Sequence, residues 1–443
     1  MNFRLLGARA LAAGLFARQL LILAAIARSG RLLRQPPTPG PDRGTEGKAP
    51  IFFLVVPALR EADLVAETVE YLGGLTNGHA ATIVVVTTAR EAAEAAKHSL
   101  ASDTVAIVEE LAATGSFVHL HYPDPVGLKG DQLNFAADYC VSRLLGDAAA
   151  SDAFMIIYDA DSRPPVDSLS SFERAIAKFP EASIFHQSSR FELRSRREEP
   201  LFRSWSWFLC DGGALRANRF VLGFEIPRLL NRSAAVSRFK RIVGSCVYAH
   251  VTGHGLGLRL SHLIDLPLPQ RSPLEDMHYS FYVGSRNLPV VVIPSLDRAE
   301  VPDSPRAQLQ QAARWFFGPA RALRYLRDPM TQPGWRARVM AVSALGSSVE
   351  WLGCAVVPPL IAFLLLGTER VLRAFAIGVV VVYEAQLALT EGFLGSSDPV
   401  RRIGRVLTCP LAAMVFGAGG FVGGIRLLRG GSGAGKTERR RVP

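Results

Sequence analysis

Phe154-Met155-Ile156-Ile157-Tyr158-Asp159-Ala160-Asp161-Ser162-Arg163-Pro164-Pro165 is an apolar run that ends in two carboxylates and then a proline stop. The residues from Phe154 to Tyr158 carry no helical periodicity and are rich in Ile and aromatics, so they read as a buried strand of a parallel sheet, covered on both faces. Asp159 and Asp161 arrive where that strand runs out, and in open α/β sheets ligands collect at the carboxyl ends of strands. Two hard oxygen donors at the mouth of such a crevice suit Mg²⁺ or Mn²⁺ carrying a diphosphate, because these metals keep several waters and take only one or two protein carboxylates. A solvated turn with a capping Asp is the other reading of an isolated Asp-x-Asp.

Outward from this strand the chain alternates. Ile51 to Val56 reads as a strand, followed by Pro57-Ala58-Leu59-Arg60-Glu61 and an amphipathic helix through Leu72. Ala81 to Val86 is a second strand with a helix from Glu91 to Leu100 after it, and Phe117 to His121 a third, followed by a helix from Gly130 to Leu145. Strands separated by helices imply right-handed crossovers, hence an α/β fold with a mainly parallel sheet and helices on both faces.

Beyond the acids the periodicity loosens. Ser183 to Ser188 reads as a strand, Leu201 to Phe220 as a helix, and Cys246 to Val251 as a strand entering Thr252-Gly253-His254-Gly255, where glycines permit close backbone approach to a ligand. Leu274-Glu275-Asp276 opens a helix, and capping alone would explain acids in its first turn. Asn287 to Ile293 is a strand. A helix from about Ser304 then carries Gln311 and Arg314 on one face with Trp315 beside them. An amide, a guanidinium and a ring together suit a phosphate and a sugar face, although Arg-Trp is also an ordinary interfacial pair.

The 443 residues carry a formal net charge of +11, 49% hydrophobic residues and a positive mean hydropathy of +0.19. The apolar residues pile up at the two ends while the middle has the mixed composition of a globular domain, which points to a membrane-anchored enzyme and away from a nucleic-acid binder. Leu5 to Ala27 is long enough for one crossing, interrupted by Arg9 and Arg18; its length and the lack of a small-residue cleavage site favour an anchor over a cleaved signal peptide. Val339 to Gly367, Val371 to about Leu394 and Val406 to Leu427 are further spanning candidates, with Glu350 and Glu384 inside the first two. Intramembrane carboxylates are costly, so these acids are expected to face a polar cavity, or for Glu350 the interface. Arg28, Arg31 and Arg34 after the first apolar segment, and Arg426, Arg429, Arg439, Arg440 and Arg441 after the last, mark cytoplasmic flanks. Three crossings after a cytoplasmic domain would place the second cluster outside, so either one segment lies in the interface or the stretch around Pro358-Pro359 re-enters. The five cysteines show no metal-ligand spacing and read as reduced thiols. The expected division is an anchor helix over 1–34, a Pro- and Gly-rich linker over 35–49, an α/β domain over 50–330 ending in an interfacial helix, membrane helices over 331–430 and a basic tail over 431–443.

In this order Pro57 and Glu61, Lys129 and Asn134, Asp159-Ala160-Asp161, Glu275-Asp276, and Gln311-x-x-Arg314-Trp315 resemble the motifs of the membrane-integral family 2 glycosyltransferases, the group of the cellulose, chitin and hyaluronan synthases. The resemblance covers residues 51 to about 320 and the membrane parts only in general plan. It implies a GT-A fold at the cytoplasmic face of the cell membrane, transferring a sugar with inversion from a nucleotide-diphosphate donor, a UDP-sugar first of all, to a saccharide or lipid-linked acceptor. Carried over by position, Pro57 and Glu61 would lie beside the nucleotide, with Lys129 and Asn134 lining the donor pocket. Asp159 would contact the nucleotide or its metal, and Asp161 would hold the Mg²⁺ or Mn²⁺. Asp276 would be the general base with Glu275 in support, and Gln311, Arg314 and Trp315 would hold the diphosphate and the acceptor. Gln-x-x-Arg-Trp favours a processive enzyme, whereas the compact C-terminal region also suits single transfer to a polyprenyl phosphate or glycolipid; a non-catalytic membrane scaffold is the reading from another class. Two positions depart from the family: Thr87-Thr88-Ala89-Arg90 stands where an acid usually reads the base, and Arg60 replaces the usual Asn before Glu61.

Overall fold

A computed structural model describes residues 3–34, 49–98, 103–115, 117–193, 204–233, 235–394 and 398–431. The expected linker up to residue 48, the helix end at Leu100, the helix start at Leu201 and the tail beyond residue 431 lie outside them. The strands among the described residues are β1 (Ile51–Pro57), β2 (Ala81–Thr88), β3 (Val118–Tyr122), β4 (Ala153–Ile157), β5 (Ile184–His186), β6 (Ser189–Glu192), β7 (Leu256–Arg259), β8 (Val291–Val292) and β9 (Asp297–Glu300). Seven form one sheet in the order β3-β2-β1-β4-β7-β5-β8, and β6 pairs with β9. Only β7 runs antiparallel to its neighbours in that sheet.

The centre of the sheet is buried on both faces. Phe52, Leu54 and Val56 of β1 join Phe154 and Ile156 of β4 in one core, against Val65 and Leu72 of the helix Val65–Thr76. Phe53, Val55, Met155 and Ile157 alternate into the other, against Leu133 and Ala136 of the helix Lys129–Tyr139 and Tyr279 and Val283 of the helix Glu275–Ser285. Burying each large apolar side chain stabilises by about 1.5–3 kcal/mol, so neither strand carries a charged side chain; β1 ends at Pro57, and Asp159 follows two residues after β4 ends at Ile157. The register pairs Val55 with Ile157, which brings the two exits side by side at the carboxyl edge.

One expected strand is corrected. Cys246 to Val251 is irregular: the amide of Tyr248 donates to Ser343 Oγ (3.1 Å) and that of Val251 to Ser280 Oγ (2.9 Å), so serines on neighbouring helices satisfy backbone groups a ladder would have used. The strand instead follows the glycine turn, as β7.

The helices Phe3–Leu33, Trp335–Leu366, Arg370–Leu394 and Pro399–Leu428 contain the four segments long and apolar enough to cross a membrane among the described residues. Trp335–Leu366 runs unbroken through Pro358 and Pro359, so the chain does not re-enter there. Ion pairs tie the N-terminal helix to its C-terminal partners, Arg9 to Glu369 at 2.6 Å and Arg18 to Glu350 at 2.8 Å. The second pair gives the apolar-segment acid Glu350 its counter-charge.

Candidate active site

At the carboxyl edge of β1 and β4 a cavity of about 1470 Å³ opens, and Pro57, Glu61, Lys129, Asp159, Asp161, Glu275 and Asp276 all line it. Lys129, at the first turn of its helix, is the hub: its Nζ lies 2.6 Å from Asp159 Oδ1, donates to the carbonyl of Gly253 (3.0 Å) and stands 3.8 Å from Glu275 Oε1. Burial alone would favour the neutral amine, but Asp159 and then Glu275 outweigh it and raise the lysine's pKa. A Cβ at residue 253 would meet Glu275 Oε1 at 3.0 Å and Lys129 Nζ at 3.3 Å, so a glycine lets the turn close over this knot of charge.

The two acids of the helix Glu275–Ser285 are set apart by their surroundings. Asp276 Oδ2 accepts the Gly253 amide (3.0 Å) and lies 3.1 Å from His250 Nε2, while Oδ1 accepts the Met277 amide (2.6 Å). Burial works to raise its pKa, but His250, Lys129 and the amide outweigh it and hold the carboxyl well below the usual range. Glu275 is buried with Lys129 on one side and the charge of Asp276 on the other; desolvation dominates and pushes it up to about 7. The surroundings thus favour the charged form of Asp276 and the neutral form of Glu275.

Gln311, Arg314 and Trp315, from the helix Pro305–Trp315, line the same cavity. Burial lowers the pKa of Arg314, and the charges of Glu275, Asp159 and Asp276 act against that shift. Asn134 is not brought into the lining: its amide donates to the carbonyl of Leu268 and accepts the Leu268 amide, both at 2.9 Å, clamping the loop ahead of the acids.

Both departures from the family pattern have a structural counterpart. Arg60 has φ +55°, a left-handed conformation in which Asn is better tolerated than most residues. It is held there by its amide bonded to the buried Glu91 (2.8 Å) and its guanidinium paired with Glu94 (3.0 Å), which also takes Arg90 (2.7 Å). Near the end of β2, Thr87 bonds His119 (2.8 Å) and His121 (2.9 Å) on β3. Arg60 and Arg90 line the cavity at this end.

Sequence reasoning missed His250 and Asp297. A histidine far along the chain from Asp276 gives no local signal, and Asp297 lies on β9, a strand of charged residues. Wholly buried Asp297 stands 3.7 Å from His254 Nδ1, which also contacts Ser189 Oγ at 2.6 Å. His254, flagged by its glycines, does line the cavity.

Two carboxylates at one strand end fit a divalent cation that completes its shell with phosphate and water. No group of three or more His, Cys, Asp or Glu side chains that could hold a metal gathers among the described residues, in this cavity or outside it. No family model and no curated protein matches the chain. Among solved structures it is similar to a mannosyltransferase from Pyrobaculum calidifontis in complex with GDP-Man and Mn²⁺, at 16% identity and a TM-score of 0.45, covering 84% of this chain and 98% of that one.

Proposed function

We propose that this protein is a membrane-integral, metal-dependent glycosyltransferase of the GT-A type, related to family 2, that moves a sugar with inversion from a nucleoside-diphosphate donor, a UDP-sugar first of all, onto an acceptor hydroxyl. Its catalytic domain lies on the cytoplasmic side, where Arg28, Arg31 and Arg34 cluster at the C-terminal end of the N-terminal helix. The observation that carries the reading is the convergence of separate segments on one cavity: Pro57 and Glu61, Lys129, Asp159 and Asp161, Glu275 and Asp276, and Gln311, Arg314 and Trp315.

Asp161, with Asp159, would hold Mg²⁺ or Mn²⁺, whose charge offsets that of the leaving diphosphate. Lys129 and Arg314 add cations on the same side, and Pro57 and Glu61 border the nucleotide. Asp276, ionised and fixed by the Gly253 amide and His250, takes the acceptor's proton as the hydroxyl oxygen bonds to the anomeric carbon. The bond from that carbon to the diphosphate breaks, and its electron pair leaves with the nucleoside diphosphate. Trp315 offers a ring for the acceptor sugar. Asp276→Asn keeps the shape of the side chain and removes the base, so transfer is expected to fall by about 10²–10⁴-fold while donor affinity, read by calorimetry, changes little. Retained turnover would show that the proton goes elsewhere.

A further inference from the structure

The cavity does not end at the transfer site. It continues between the N-terminal helix and the C-terminal apolar helices, where Val357, Ile361, Leu365 and Val379 make its wall apolar and Arg18, Arg216, Arg219 and Arg228 make it cationic. These four guanidiniums meet two carboxylates from the apolar helices on the same wall, Glu350 and Glu384. Only Arg18 is ion-paired among the described residues, with Glu350 at 2.8 Å. Arg219 is held by neutral amides, Gln386 Oε1 at 2.6 Å and Gln19 Oε1 at 3.2 Å, and Arg228 donates to the Tyr248 carbonyl at 3.2 Å. Arg216 lies over the Phe416 ring at 3.4 Å from its centroid and shares a small side cavity with Gln311 and Trp315. It therefore stands where the acceptor end of the transfer site gives way to the apolar walls.

Guanidiniums without matching carboxylates between apolar walls carry a desolvation cost that a bound anion relieves. A neutral saccharide chain gives no such return, whereas an anionic head on an apolar chain matches both parts of the wall. We propose that the acceptor is a saccharide carried on a phosphate-bearing lipid: Arg216 and Arg219 take the phosphate, the apolar helices take the chain, and the sugar hydroxyl reaches Asp276 past Trp315. The sugar part rests on the transferase reading above. In the reaction the acceptor oxygen gains the bond to the anomeric carbon and gives its proton to Asp276, the donor diphosphate leaves with the electron pair, and the lipid phosphate is unchanged.

The test uses the full-length protein in phosphatidylcholine nanodiscs, measuring binding of geranylgeranyl phosphate, geranylgeraniol and inorganic phosphate. The phosphate is expected to bind about ten-fold tighter than the alcohol, the gain of one or two charge-assisted hydrogen bonds, and inorganic phosphate not to compete. Arg216→Gln, with unchanged melting, should bring the two lipids within about two-fold of each other. Equal affinities in the wild type, effective competition by inorganic phosphate, or a preference that survives Arg216→Gln each overturn the proposal. Nucleoside diphosphate release from nucleotide sugars by the same preparation keeps the two readings apart. Release without phosphate preference defeats the lipid-phosphate site and leaves the transferase standing; preference without release does the reverse.

Discussion

His254 shows how much of this site depends on single titrating groups. Burial alone would lower its pKa, but the carboxylates of Asp297 and Asp159 outweigh burial and Lys129, raising it to about 9. Its side chain is only 16% exposed. Below pH about 6.5 the folded and unfolded chains both hold the proton and the whole stabilisation is present; above it the unfolded chain releases the proton first, and the stabilisation decays as the pH climbs to about 9. The melting temperature is therefore expected to fall between these values, by the equivalent of up to about 3 kcal/mol, and the slope to flatten in His254→Asn. A slope unchanged by the substitution would remove His254 as its cause. At this scale the legible residues are those whose neighbours in sequence announce them: Asp159 and Asp161 end an apolar strand, and Glu275 and Asp276 open a helix. The contacts of His250 and Asn134 were not legible, because their partners, Asp276 and the backbone of Leu268, are set by the fold and not by spacing.

The element that joins the two halves of the site is the helix Pro305–Trp315, and its seat is a stripe of glycines on Pro399–Leu428. A Cβ at Gly419 would meet Ala312 Cβ at 2.6 Å and the carbonyl of Leu309 at 2.7 Å, so the two helices pack backbone to backbone. At Gly424 the same atom would meet only Phe316 at 3.6 Å, an ordinary contact. Gly419→Ala should thus displace the helix that carries Gln311, Arg314 and Trp315, costing about 1–3 kcal/mol of stability and raising the donor KM, while Gly424→Ala leaves both within error. Melting curves and initial rates check this, and equal effects at the two positions would contradict it. Long or strongly apolar elements were legible in the sequence: β1, β4 and the spanning helices occur where their patterns place them. β6 and β9 were not, because Ser189–Glu192 and Asp297–Glu300 are polar strands that pair with each other outside the main sheet. The run from Cys246 to Val251 has strand composition, yet Ser280 and Ser343 take its amides.

Over the whole molecule, an α/β domain presents the carboxyl edge of its sheet to a group of apolar helices drawn from both ends of the chain, and one cavity runs from Asp161 to the walls between those helices. The long apolar helices were legible because apolar residues are concentrated at the ends. The continuity of the cavity was not, since it depends on the N-terminal helix lodging against Arg370–Leu394 through Gln19 and Gln386 (2.7 Å) and against Trp335–Leu366 through Arg18 and Glu350. This arrangement suits a transferase whose donor arrives from water and whose acceptor arrives along the membrane. The most direct test of that claim is to incubate the purified protein in nanodiscs with a panel of nucleotide sugars and Mg²⁺ or Mn²⁺ and to measure the nucleoside diphosphate released. The account predicts release from one class of donor, abolished by a chelator, restored by adding back the cation and reduced by at least about 10²-fold in Asp161→Asn. No release from any donor with either cation, or release indifferent to the chelator, would contradict it.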